Sequence, residues 1–267
     1  MTGPSWLEDV LGPGAAVHAV FEQRGSGNIA YGVTLAEGRR VFVKVATAAV
    51  GREGLARAVR LHRAVQHPTI VPLEAVHETP DGQVLVYPWV EGELLYAASQ
   101  ARGGQGSAHG RFRGLPLDQV NAALDDLFDA HRVLAAAGFV SSDFYDGSLL
   151  YDFVGARLWL IDVDEYRPGP FRLATERALG STRFMAPEEF VRGSVIDERT
   201  TVFHLARAAT VFLGDGAGGF RGAVGRAEVV RRGQEVEPER RFEGVAAFVL
   251  VCAVAQLIGL RRLIAET

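Results

Sequence analysis

Four carboxylates and one lysine stand where this chain could carry chemistry. Asp143 and Asp146 fall in "GFVSSDFYDGSLLYD", residues 138–152, between a helix-like run and a strand-like run. Asp162 and Asp164 follow in "LWLIDVDEY", and Lys44 lies in the strand-like "RVFVKVA". Loop carboxylates can take up protons or offer hard oxygen ligands to a cation. Asp143 and Asp146 equally suit an Asx-turn pair closing the strand from Leu149 to Asp152. Lys44, taken alone, reads as a solvent-facing strand lysine.

The elements that must position these residues follow from hydrophobic periodicity. Residues 17–46 alternate apolar and polar around two reversals, "RGSGN" and "AEGRR", which predicts a small antiparallel sheet. Residues 50–66 take a helical period, and "HETPDGQVLVYPWVEG" reads as a hairpin around Asp81-Gly82. "GELLYAASQ" is predicted as a short helix and "ARGGQGSAHGRFRG" as a flexible connector. "PLDQVNAALDDLFDAHRVLAAAG" predicts a helix ended by Gly138, with further helices at about 197–213 and 239–265. The fold class expected is α+β: a sheet-rich lobe over 1–88, a hinge at 89–92 and a mainly helical lobe over 93–267.

Composition narrows the function. With 267 residues, 48% hydrophobic and 22% charged, the chain has the profile of an ordinary globular protein. A net charge of -4 gives no electrostatic argument for nucleic acid or an anionic membrane. One cysteine, Cys252, allows no internal disulfide and fits a reducing, cytoplasmic compartment. The start lacks the pattern of a signal peptide, and the apolar stretch 244–260, which contains Gln256, reads as a buried helix and not a membrane span. His62, His131 and His204 have no helical neighbour that would make a metal pair.

Taken in order, "GSGN", "FVKVA", "HPTIVPL", "LVYPWVEG", "GFVSSDFYDGSLLYD", "LWLIDVDEY", "GSTRFMAPEE" and "IDERTTVFHL" resemble the protein kinase motif series over about residues 17–260. The chain is most similar to small bacterial kinase-like proteins that keep a bilobal frame with an altered catalytic loop. The resemblance implies an α+β protein-kinase-like fold that uses ATP with Mg2+ or Mn2+. Lys44 would contact the nucleotide's phosphates, with Gly25 and Gly27 letting the backbone approach them. Asp143 would orient or deprotonate the acceptor hydroxyl and Asp162 would hold the metal. Tyr87 would close the back of the adenine pocket and Val90 would offer a hinge N–H. Glu188 would pair with Arg241 far downstream.

The same alignment shows departures. Ser141 and Ser142 replace His-Arg before Asp143, Ser148 replaces the asparagine that holds a second metal, and Asp164 replaces the glycine after the metal aspartate. Asp164 or Asp146 is expected to take the second metal position. The third glycine of the nucleotide loop is Ala30, the helix glutamate's place falls near Ala58 with Glu53 a turn earlier, and Thr201 replaces the aspartate anchoring the catalytic loop. The segment after residue 213 is short. The expected activity is therefore transfer of the γ-phosphoryl of ATP to a protein hydroxyl, beside two alternatives: a pseudokinase acting as a binding module, and a small-molecule kinase. The expected partners are ATP and a protein or small-molecule hydroxyl acceptor, with no nucleic acid and no membrane.

Overall fold

The structure, a computed structural model, describes residues 4, 6–22, 27–80, 82–97, 104, 106–215 and 219–265, with side chains described up to residue 259. It is a mixed α+β protein with a five-stranded antiparallel sheet and seven helices among the described residues. The chain divides into two compact units, residues 1–66 with 71–91, and residues 67–70 with 92–267.

The first unit opens with α1 (Leu7–Leu11), which the sequence pattern did not announce. β1 (Ala16–Glu22), β2 (Asn28–Thr34) and β3 (Arg40–Ala46) then form a meander, followed by α2 (Ala49–Ala64) and the hairpin of β4 (Ala75–Thr79) and β5 (Gly82–Pro88). The sheet order is β1-β2-β3-β5-β4. Gly82, with φ of +129°, supplies the backbone freedom that the tight hairpin needs, while Asp81 beside it lies outside the described residues.

Because side chains alternate along a strand, the sheet has two distinct faces. Val33, Val41, Val43, Val45, Val84 and Val86 form one face, closed by Trp6 and Leu7 at the start of α1. The other face carries Phe42 opposite Tyr87 and Lys44 opposite Leu85. There α2 packs: the His62 ring meets Tyr87 edge-on with centroids 5.5 Å apart.

The second unit begins with β6 (Glu93–Leu94), paired with Tyr151 and Leu150, where the sequence predicted a short helix. The pairing partners are more than fifty residues away, so the local pattern could not reveal them. α3 (Ala108–Arg113), α4 (Leu117–Ala136), β7 (Phe139–Val140), β8 (Leu149–Asp152) and β9 (Arg157–Leu160) follow. Then come β10 (Arg167–Pro168), β11 (Phe171–Arg172), β12 (Val195–Ile196), α5 (Glu198–Leu213), α6 (Val224–Gly233) and α7 (Val245–Ala265). α4 buries Val120, Leu124, Leu127, Phe128, His131 and Leu134 on one face, with Phe128 packing edge-on against Phe248 of α7.

α6 was not expected. Its inward positions are 226, 229, 230 and 233, a helical period, but the first is an arginine. Arg226 is 1% exposed, and its terminal nitrogens donate to Asp125 at 2.8 Å, Asn121 at 3.1 Å and Gln256. A buried cation in the core stripe hides the apolar period. No helix among the described residues is long and apolar enough to cross a membrane.

Candidate functional site

α4 ends at Ala136, and Gly138 at φ +82° turns the chain into β7. The loop after β7 then places Asp143 in the left-handed region at φ +56°, an unusual conformation for a residue with a side chain. A 3-10 turn, Asp146–Ser148, leads into β8, which pairs antiparallel with β9 and returns the chain toward Asp162. The predicted course of loop, strand, turn and returning strand is therefore present.

It brings the Asp143 and Asp162 carboxylates close enough to interact. Burial first, then the negative charges of Asp162, Glu165 and Glu189, together push the Asp143 carboxyl up to about 7 against the opposing effect of His204. The same charges reach Tyr166, whose phenol is held well above its ordinary range by burial, then by Asp162 and Asp143. Tyr166 lies 2.7 Å from His131 Nε2, and His131 Nδ1 lies 2.9 Å from the Leu127 carbonyl. Burial lowers the His131 pKa to about 4, so the neutral ring donates from Nδ1 and accepts the Tyr166 hydroxyl proton at Nε2.

Asp146, expected as a candidate for the second metal position, is engaged within the protein. It is 0% exposed, and its two oxygens lie 2.8 and 2.7 Å from Arg183 Nη2, with the Ala97 N–H donating to one of them at 3.2 Å. A carboxylate so committed to a guanidinium has little left for a cation. Ser148 is also buried, its hydroxyl accepting the Tyr145 N–H at 3.4 Å. Asp164 is buried too and lies outside the strand that precedes it. β9 stops at Leu160, and the Tyr166 N–H bonds the Val163 carbonyl at 3.1 Å, so residues 163–166 form a turn. Among the described residues no group of three or more His, Cys, Asp or Glu side chains is arranged to hold a metal.

In the first unit, Lys44 is half-buried on the α2 side of the sheet. Burial first, and the Lys44 charge second, lower the His62 pKa to about 4, which sets the ammonium group near that ring. The Glu53 carboxylate is 76% exposed and 4.0 Å from Arg57, and the Ala58 position is fully buried. Gly25 lies outside the described residues. Gly27 is required by its own backbone neighbours: a Cβ there would stand 2.6 Å from Val50 Cγ1 and 2.9 Å from the Gly51 nitrogen. Its carbonyl accepts the N–H groups of Thr47 at 2.8 Å and Ala48 at 3.2 Å. The glycine thus serves the packing of the hairpin end on the start of α2. Tyr87 is 5% exposed and packs on His62, and Val90 is half-buried just beyond β5.

Two contacts join distant segments of the large unit. Arg241 donates to both oxygens of Glu188 at 2.7 and 2.8 Å, and to the carbonyls of Glu235, Arg199 and Val236. Thr201 on α5 accepts the Ser141 N–H at its hydroxyl oxygen, 3.1 Å away. One group escaped the sequence altogether: Ser141 Oγ lies 2.7 Å from His204 Nδ1, and His204 Nε2 lies 2.7 Å from Glu189 Oε2. The three side chains come from segments up to 63 residues apart, so no local spacing connects them.

Compared with family models and with curated proteins, the chain matches none.

Proposed function

We propose that this protein is an ATP- and Mg2+-dependent phosphotransferase of protein-kinase-like fold, transferring the γ-phosphoryl group to a hydroxyl acceptor. The two compact units are read as the small and large lobes of that frame. The observation that carries the reading is the pairing of Asp143 with Asp162. One carboxylate sits in a strained backbone turn, is raised to about 7 by burial and by its acidic neighbour, and so is tuned near neutral pH for proton uptake. The bidentate Glu188–Arg241 pair and the Thr201 anchor support the same frame.

In this reading Asp143 accepts the acceptor hydroxyl's proton as the new O–P bond forms and the bond to the β-phosphate oxygen breaks, releasing ADP. Lys44 is assigned to the phosphates. Asp162 fits a hard cation by donor chemistry, and two like charges close together in a partly buried place favour a counter-ion. When bound, Mg2+ would neutralise phosphate charge there.

A pseudokinase reading is favoured by one specific observation: Asp146, one of the two residues expected at the second metal position, is held in an internal ion pair with Arg183. Labelled ATP with Mg2+ or Mn2+, offered with a protein mixture and separately with small alcohols, distinguishes the readings. The phosphotransferase reading predicts transfer that is lost in both Asp143→Ala and Asp162→Ala. No transfer to any acceptor, with thermal stabilisation by ATP retained, would favour the pseudokinase.

A further inference from the structure

α7 is apolar on both of its faces. Val245, Phe248 and Cys252 are buried in the core, Phe248 against Phe128 of α4 and against Phe242. On the opposite side Leu250, Val251, Val254, Leu257 and Ile258 are exposed, Leu250 by 65% and Leu257 by 60%. Their spacing follows the helical period, so they form one stripe along the helix. Every exposed residue from 246 to 258 is Ala, Val, Leu or Ile. The one amide side chain in that run, Gln256, accepts a hydrogen bond from the buried Arg226. Gly259 packs directly on Ala223, and the next residue, Val224, is 77% exposed and adds apolar surface near that end. A helix with water on its outer side ordinarily carries charged and polar residues there.

The stripe exposes on the order of 500 Å² of apolar surface, the size of patch that marks an interface. Covered on two copies at once, it removes about 1,000 Å² from water, which is what a specific contact between proteins requires. The charges at its ends select the geometry. Glu243, exposed, stands just before the helix, and Arg261 and Arg262 fall near its end in the sequence. Cys252, behind the middle of the stripe, is equidistant in sequence from Glu243 and Arg261. An antiparallel pairing across a two-fold axis near residue 252 therefore brings Glu243 beside the position of Arg261 of the partner subunit, and the symmetry repeats that pair. A parallel pairing would set two basic ends together. A lipid surface fits less well, because the Lys and Arg that line an interfacial helix are absent from 246–258. We propose that α7 is the interface of a two-fold homodimer, its exposed stripe packed antiparallel on the same stripe of a second copy, with Leu250 against Val254 of the partner subunit. The contact uses none of the loop carboxylates, so it stands or falls apart from the phosphotransferase reading.

The test is sedimentation equilibrium of the full chain over micromolar concentrations. Wild type is expected to pass from monomer to dimer as concentration rises. The double variant Leu250→Glu, Leu257→Glu should remain monomeric over the same range with an unchanged circular dichroism spectrum, since both side chains are exposed in the single chain. Wild type that stays monomeric, or a folded double variant that still dimerises, would overturn the proposal. If the double variant does not fold, Glu243→Arg carries the test from outside the helix. It should weaken the dimer roughly tenfold, because the axis repeats the lost pair, and adding Arg261→Glu to the same chain should restore association. Unchanged association in Glu243→Arg, or no recovery with Arg261→Glu, would overturn the antiparallel pairing. Binding of monomeric wild type to phosphatidylcholine vesicles would give the stripe to a lipid surface and overturn the dimer.

Discussion

Two carboxylates of the large unit, Glu188 and Asp143, are shifted in opposite directions although burial raises both. Around Glu188, burial pushes the carboxyl up, but the Arg241 hydrogen bonds and charge outweigh it and hold the pKa below its ordinary value. Around Asp143 the neighbours are themselves acidic, so burial and charge act together and the pKa rises to about 7. A buried charge with a complete counter-charge supports the fold. One crowded by like charges carries a cost that the rest of the structure must offset, and such costs concentrate where chemistry is done.

Breaking the compensated side should cost most. Arg241→Ala leaves Glu188 buried without its guanidinium and frees three backbone carbonyls, so a loss of about 3–5 kcal/mol is expected by urea denaturation. A loss below about 1 kcal/mol would show that the pair is dispensable.

The crowded side should behave in reverse. Asp143 binds its proton more tightly folded than unfolded, so its contribution is intact below the ordinary carboxylate pKa and is lost as pH rises through about 7. Asp143→Asn should therefore raise stability at pH 8 by roughly 1–3 kcal/mol, discounted for partial exposure, and leave it nearly unchanged at pH 4. Thermal melts at the two pH values check this, and an equal effect at both would contradict the assigned shift.

His131, next to the same site through Tyr166, sharpens the comparison from the basic side. Its folded pKa of about 4 lies below the ordinary 6.5, so its neutral form stabilises the protein above 6.5 and that contribution falls as pH drops toward 4. His131→Gln should flatten this part of the stability profile. The smallest effect is expected at Glu53. Its exposed carboxylate is 4.0 Å from Arg57, and Glu53→Ala should change stability by less than about 0.5 kcal/mol.

The sequence made some of these features legible and hid others for physical reasons. The meander of β1–β3, helix α2, the β4–β5 hairpin and α4 with its Gly138 turn rest on local periodicity, and all appear where they were expected. The Glu188–Arg241 pair spans 53 residues and was reached only through motif order. β6 read as a helix because its stability comes from a distant strand, and α6 was hidden by Arg226 in its inward stripe. Asp146 and Asp143 sit three residues apart in one acidic loop, and nothing local says that Arg183 takes the first and not the second. Ser141, His204 and Glu189 meet from segments up to 63 residues apart, so the sequence showed only that His-Arg was missing before Asp143.

The most direct test is the pH dependence of phosphoryl transfer from labelled ATP in the presence of Mg2+, measured as kcat/KM from pH 5 to 9. With Asp143 as the proton acceptor, the rate should rise through a single ionisation near pH 7. A profile already flat above pH 5, or transfer that persists in Asp143→Ala, would contradict the assignment.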